Sequence, residues 1–99
     1  MRAIHLVRLD KIRPALVLTR AIAVPHLGGI TVAPITSTIR GLATEVLVGS
    51  RNNLDHDCVV HCDSIQTIPR GNVLAPIGML LTDQEDDLAR AIRAAFDLD

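Results

Sequence analysis

The stretch "ITVAPITSTIRG", residues 30–41, runs as an apolar, β-branched segment, meets Pro34, and then sets three hydroxyls, Thr36, Ser37 and Thr38, ahead of Arg40. Branched side chains that pack well on a pleated surface favour a strand here. A proline near its end points to an edge or a bulge, because proline has no N–H to give to a ladder. Taken alone, the three hydroxyls read as a turn. Outward from this segment, "ALVLT", residues 15–19, is a near-continuous apolar run suited to a strand buried on both faces. Ile4 to Leu9 reads as a first short strand, and Ala21 to Val24 as extended chain before the turn "PHLGG". "ATEVLVG", "DCVVHCD" and "SIQTIP" supply three further strands, while "RGNVLAPIG" is loop-like at both ends. One helix follows: Thr82 with Glu85 three residues on forms a capping box, and Leu88, Ile92, Ala95 and Phe96 share one face. The expected fold is mainly β with one C-terminal α-helix, a small barrel or sandwich, as a single domain spanning 1–99.

The composition narrows what such a domain does. Phe96 is the one aromatic residue, and there is no Trp or Tyr, so a stacking platform for bases is excluded and the core must come from Val, Ile, Leu and Ala. Residues 1–82 carry eight Lys and Arg against five Asp and Glu, and residues 83–99 carry two against six, which together give the net charge of −1. A mildly basic body is thus masked by an acidic tail, part of which suits the positive end of the helix. Nine of the ten cations are Arg, whose planar fork recognises phosphate. The N-terminus has no signal-peptide pattern and no apolar run reaches membrane-spanning length, so a cytoplasmic protein with reduced thiols and no membrane partner is expected.

His56, Cys58, His61 and Cys62 in "HDCVVHCD" are all possible zinc ligands. Strand geometry argues against the site: Cys58, Val60 and Cys62 fall on one face and His61 on the other. No metal site and no cofactor are therefore expected. No Gly-x-Ser-x-Gly elbow marks a hydrolase nucleophile, and "HLGGI" lacks the Lys and helix of a phosphate loop. What remains is Arg13, beside Pro14 at the mouth of a buried strand, and the hydroxyls that end the strand through Ile35. If the two strands are neighbours, Arg13 and Thr36 share one groove, where an Arg can clamp an oxyanion or phosphate.

These segments, "RPALVLTR" then "ITVAPITSTIRG", "TEVLVG", "CDSIQTIP" and "IGMLL" ahead of the helix, resemble the MazF/PemK family of toxin endoribonucleases, in the family's order and over almost the whole chain. The resemblance implies an SH3-like small barrel and a homodimer. It also implies sequence-specific, metal-independent cleavage of single-stranded RNA within a toxin–antitoxin system, and a cognate MazE-like antitoxin whose flexible tail fills the RNA groove. It places the catalytic pair on Arg13 and Thr36 and an RNA contact on Ser37. Two departures matter. Only Lys11 and Ile12 separate "LD" from Arg13, where many relatives carry a longer Gly-rich loop, and Gln66 stands where many carry an Arg. Lys11 and Gln66 join Ser37 as RNA-binding candidates, Gln66 reading a base edge through its amide. Two other readings stay open: a toxin of this fold that inhibits a protein target such as gyrase, and a member that binds RNA or antitoxin without cutting.

Overall fold

The computed structural model describes residues 2–98 and consists of seven strands, four short 3₁₀ turns and one helix. The strands are β1 (Ala3–Arg8), β2 (Ile12–Val17), β3 (Gly29–Thr36), β4 (Glu45–Val48), β5 (Cys58–His61), β6 (Gln66–Pro69) and β7 (Val73–Met79), and the helix is α1 (Thr82–Phe96). All pairings are antiparallel, in the order β4-β5-β3-β2-β1-β7, with β6 on β3 as a branch. The expected mainly-β fold with a C-terminal helix is what forms.

The period-two pattern of β2 and β3 decides how the layers stack. Leu16, Ala33 and Ile35 enter one core with Ile4, Val46, Val60 and, from the helix, Leu88 and Ala91. Ala15, Ile30 and Val32 point the other way into a second core with Val7 and Ile68. The central strands are therefore buried on both faces, as the run at 15–19 suggests. The helix covers the first core only.

Several boundaries differ from the sequence reading. β2 begins at Ile12, so Arg13 and Pro14 lie inside the strand, opposite Val7 and Leu6, not ahead of it. Ala21 to Ala23 is a turn, with the Ala23 N–H donating to the Arg20 carbonyl at 2.9 Å, and a 3₁₀ turn follows at Val24–His26; the expected extended segment is absent there because Pro25 favours a turn. Pro34 sits on a central strand, not an edge. It lies where β3 changes partner, between the residues paired with β6, 29–32, and those paired with β5, 35–36, so no ladder on that side asks for its N–H. The segment around "NVLAPIG" is strand β7, paired with β1 through two register shifts. As an edge strand it tolerates Pro76, which made it look like a loop.

The helix start also differs. Leu81 is the N-cap, and Gln84, not Glu85, closes the box: its Oε1 accepts the Leu81 N–H at 2.9 Å. Gln84 is buried against Asn52, whose Nδ2 donates to Gln84 Oε1 at 2.6 Å and to the Met79 carbonyl at 2.9 Å. This pair ties the first turn of the helix to the last strand. Ala91 replaces Phe96 in the buried stripe, and Phe96 is exposed.

Cys58 and Cys62 share the first core with Val60, the face that alternation assigns them, and both are free thiols. Burial, assisted by Asp63, pushes the Cys62 thiol up to about 11. Burial followed by the charges of Asp55 and Asp57 also raises Cys58. Thiolate is the reactive form, so iodoacetamide at about pH 8 will modify neither cysteine in the native protein and both in denaturant. Native-state labelling at the rate of a free thiol would contradict this packing.

Candidate active site

The ladder between β2 and β3 stops at the Ala15–Pro34 pair. Pro14, the next residue on β2, has no N–H with which to extend it. Continuing the register by two residues sets Arg13 across from Thr36, at the point where pairing has ceased and a groove opens. Thr36 lies on the same face as Pro34 and Val32, the face that elsewhere buries the second core. On β5 the partner of Thr36 is Val59, so His61 emerges two residues further along on that face; Glu45 of β4 pairs directly with His61. Gln66 of β6 pairs with Val32 and points the same way. Strand register alone thus gathers Arg13, Thr36, Glu45, His61 and Gln66 around a cavity of about 490 Å³.

The side chains in it are chemically divided. Arg13 Nη2 donates to Asp10 Oδ2 at 3.0 Å, while its Nε is buried and without a partner. At Asp10 desolvation acts upward, but the Lys11 backbone N–H and the Arg13 guanidinium outweigh it and hold the carboxyl below its ordinary range. Thr36 Oγ1 accepts the Thr38 N–H at 3.2 Å, so the hydroxyl turn read from the sequence does form. Because Oγ1 accepts there, its own proton stays free to donate into the groove. Glu45 is buried, and its Oε1 accepts the N–H groups of Arg40 and Leu42, each at 3.2 Å. That carboxylate shapes the loop between β3 and β4 and holds Arg40 on the groove wall. Gln66 has an exposed amide, with one long contact from Nε2 to the Ser64 carbonyl at 3.4 Å.

Of the residues singled out from the sequence, Arg13, Thr36 and Gln66 come together in this groove. Lys11 and Ser37 do not line it: Lys11 sits exposed in the β1–β2 turn, and Ser37 is exposed in the bend after β3, between two groove residues. Thr38, Arg40, Glu45 and His61 line the groove without having been assigned to it. For Glu45 the available signal was the alternation of "EVLV", which sends Glu45 and Leu47 to the face opposite Val46 and Val48. Among the described residues no group of three or more His, Cys, Asp or Glu is placed to hold a metal ion, and no helix is long and apolar enough to cross a membrane.

An antiparallel sheet covered on one side by a single helix, with a groove of guanidinium, hydroxyl, amide, imidazole and carboxylate groups on the other, defines a small β protein with a polar groove. The chain belongs to the PemK-like, MazF-like toxin family of type II toxin–antitoxin systems, whose model matches residues 5–96. It is 57% identical over 99 residues to endoribonuclease MazF3 of Mycobacterium tuberculosis, covering 100% of this chain and 96% of that protein. Against the solved structure of Mycobacterium tuberculosis toxin MazF-mt6 the TM-score is 0.97 at 56% identity, over 99% of each chain. A mycobacterial endoribonuclease solved in complex with its cognate antitoxin shares the fold at a TM-score of 0.87 and 19% identity, over 98% of this chain and 93% of that one.

Proposed function

We propose that this MazF-family toxin endoribonuclease binds single-stranded RNA in the groove and cuts it by attack of a ribose 2′-OH on the adjacent phosphate. The observation that carries the reading is the convergence of Arg13 and Thr36 where the β2–β3 ladder ends. RNA supplies its own nucleophile beside the scissile bond, so proximity is built into the substrate and no activated water is needed. The protein's task is to align the attack and to neutralise the charge that accumulates on the phosphorane. The Arg13 guanidinium presents parallel donors for that charge, and the free Thr36 proton reaches a second phosphate oxygen. A guanidinium and a hydroxyl are both proton donors here, so neither is the general base. The O2′–P bond forms, the P–O5′ bond breaks, and the products are a 2′,3′-cyclic phosphate and a 5′-hydroxyl.

The protein acts as a homodimer, and a MazE-like antitoxin suppresses it by covering the groove; a mycobacterial endoribonuclease of the same fold is solved in complex with its cognate antitoxin. The acidic helix lies on the far side of the sheet from the groove, which keeps its charge away from phosphate. Purified protein is expected to cut single-stranded RNA in EDTA and to leave 5′ ends that kinase labels without prior phosphatase treatment. Thr36→Val, which keeps shape but removes the hydroxyl, lowers kcat about 10-fold to 100-fold with little change in melting temperature. Cleavage that requires a divalent ion, or that leaves 5′-phosphates, would overturn the mechanism.

A further inference from the structure

The groove contains two buried polar atoms without partners, Arg13 Nε and His61 Nδ1. Buried polar groups are nearly always hydrogen-bonded, so an orphan in a cavity wall needs a reason. Arg13 already has one in the proposed chemistry. His61 has none. It is the last residue of β5, between Val60 and Cys62, which both enter the core, and its ring reaches the cavity that holds Thr36 and Gln66.

We infer that His61 is a substrate contact of the groove, which in its protonated form hydrogen-bonds an RNA phosphate next to the one held by Arg13 and Thr36. The inference rests on the reading of this groove as the RNA site. The charged groups around the ring are known from each neighbouring element. Glu45 of β4 is its direct cross-strand partner, Arg13 comes from β2, Asp10 from the β1–β2 turn and Arg40 from the β3–β4 loop. Asp63 follows on its own chain and is taken up by the Thr44 hydroxyl at 2.6 Å. Glu45 Oε1 is committed to two backbone N–H groups, and its carboxylate forms no ion pair with His61. The imidazole is therefore left for the ligand. Histidine is the side chain that changes charge between about pH 5 and 8, so an imidazolium–phosphate bond makes RNA binding take up a proton in that range. This role fits a residue beside the reacting pair: it adds affinity on the flanking strand and leaves the bond-breaking step to Arg13 and Thr36.

The test is fluorescence anisotropy with a labelled, random-sequence 2′-O-methyl RNA 12-mer, which lacks the nucleophile and is not cut, read at pH 5.5 and pH 8. The wild-type protein should bind about tenfold more tightly at the lower pH, the worth of one charge-assisted hydrogen bond. His61→Asn should keep the pH 8 affinity within about twofold and lose that tightening, and His61→Gln should do the same. His26→Asn, in an exposed turn away from the groove, should retain it. In cleavage assays the His61 variants should raise KM at low pH with kcat unchanged. Tightening that survives in both His61 variants, or a loss of kcat at constant KM, would overturn the assignment. Arg13→Ala separates the two readings: if it leaves affinity for the 12-mer unchanged at both pH values, the groove is not the RNA site. If it weakens binding while the His61 variants keep the wild-type pH response, the His61 contact alone is wrong.

Discussion

Arg13→Ala is expected to lower kcat for RNA cleavage by about a thousandfold while leaving the protein folded. The size follows from the task assigned to the side chain. A preorganised donor aimed at charge that builds up toward the transition state is worth about 10²–10³ in kcat when removed, and Arg13 contributes a full charge as well as paired donors. The fold has little to lose. The side chain points into the groove, and its ion pair is with Asp10, an exposed residue three positions earlier, where solvent screening leaves it little weight in stability. The strand is held independently by Ala15 and Leu16, both fully buried in opposite cores. Arg13→Lys distinguishes charge from geometry: an ammonium keeps the charge but not the planar fork, so it should recover only part of the loss. Turnover of an end-labelled RNA, together with a circular dichroism melt, reads both effects. Arg13→Ala activity within about tenfold of wild type, in a protein with an unchanged melt, would remove Arg13 from the mechanism.

How much of this was legible in the sequence depended on the range over which each feature is decided. Period two is local, and it served well. It placed Cys58, Val60 and Cys62 on one face and His61 on the other; the apolar run at 15–19 likewise marked a strand buried on both sides, at Ala15 and Leu16, though β2 ends at Val17 and not at Thr19. Features that depend on a partner far along the chain were hidden. Proline is read locally as a breaker, yet Pro76 is harmless because β7 is an edge strand, and Pro34 is harmless because β3 changes partner there. Thr82 is a good N-cap type, but the helix start is set by Gln84, which Asn52 holds from 32 positions away. The same distinction runs through the groove. Arg13 and Thr36 were joined by family resemblance, whereas their juxtaposition comes from the β2–β3 register. Glu45 and His61 become groove residues only through the pairing of β4 with β5. His61, which the sequence offers as a possible zinc ligand, is half-buried with a nitrogen unpaired.

Gly78→Ala is expected to be the most damaging conservative change to the fold. Gly78 lies on β7 opposite Ile4, where a Cβ would be driven into the backbone carbonyl of Asn52, oxygen and carbon together, with the Asn53 side chain just beyond. A flexible side chain could swing aside from such a contact. A carbonyl cannot, and this one belongs to a residue locked on every side. Asn52 is almost fully buried, its Oδ1 accepts the Gly49 N–H at 3.0 Å and its amide holds Met79 and Gln84. Asn53, next to it, has a φ of 64°, and its Nδ2 donates to the Ile77 carbonyl at 2.7 Å. Relieving the clash means moving either β7 away from β1 or the Asn52 turn away from the helix start, and the second move breaks the Gln84 cap. Overpacking against a rigid neighbour costs about 3 kcal/mol, which for a domain of this size lowers the melting temperature by roughly 12–24 °C. Gly71→Ala is the control: nothing lies within 4 Å of the added carbon, and its melt should stay within a few degrees of wild type. Thermal melts of the two variants decide the matter. A Gly78→Ala protein as stable as Gly71→Ala would mean that β7 and the Asn52 turn are not packed as closely as the structure has them, and that the helix is anchored by its Leu88 and Ala91 stripe alone.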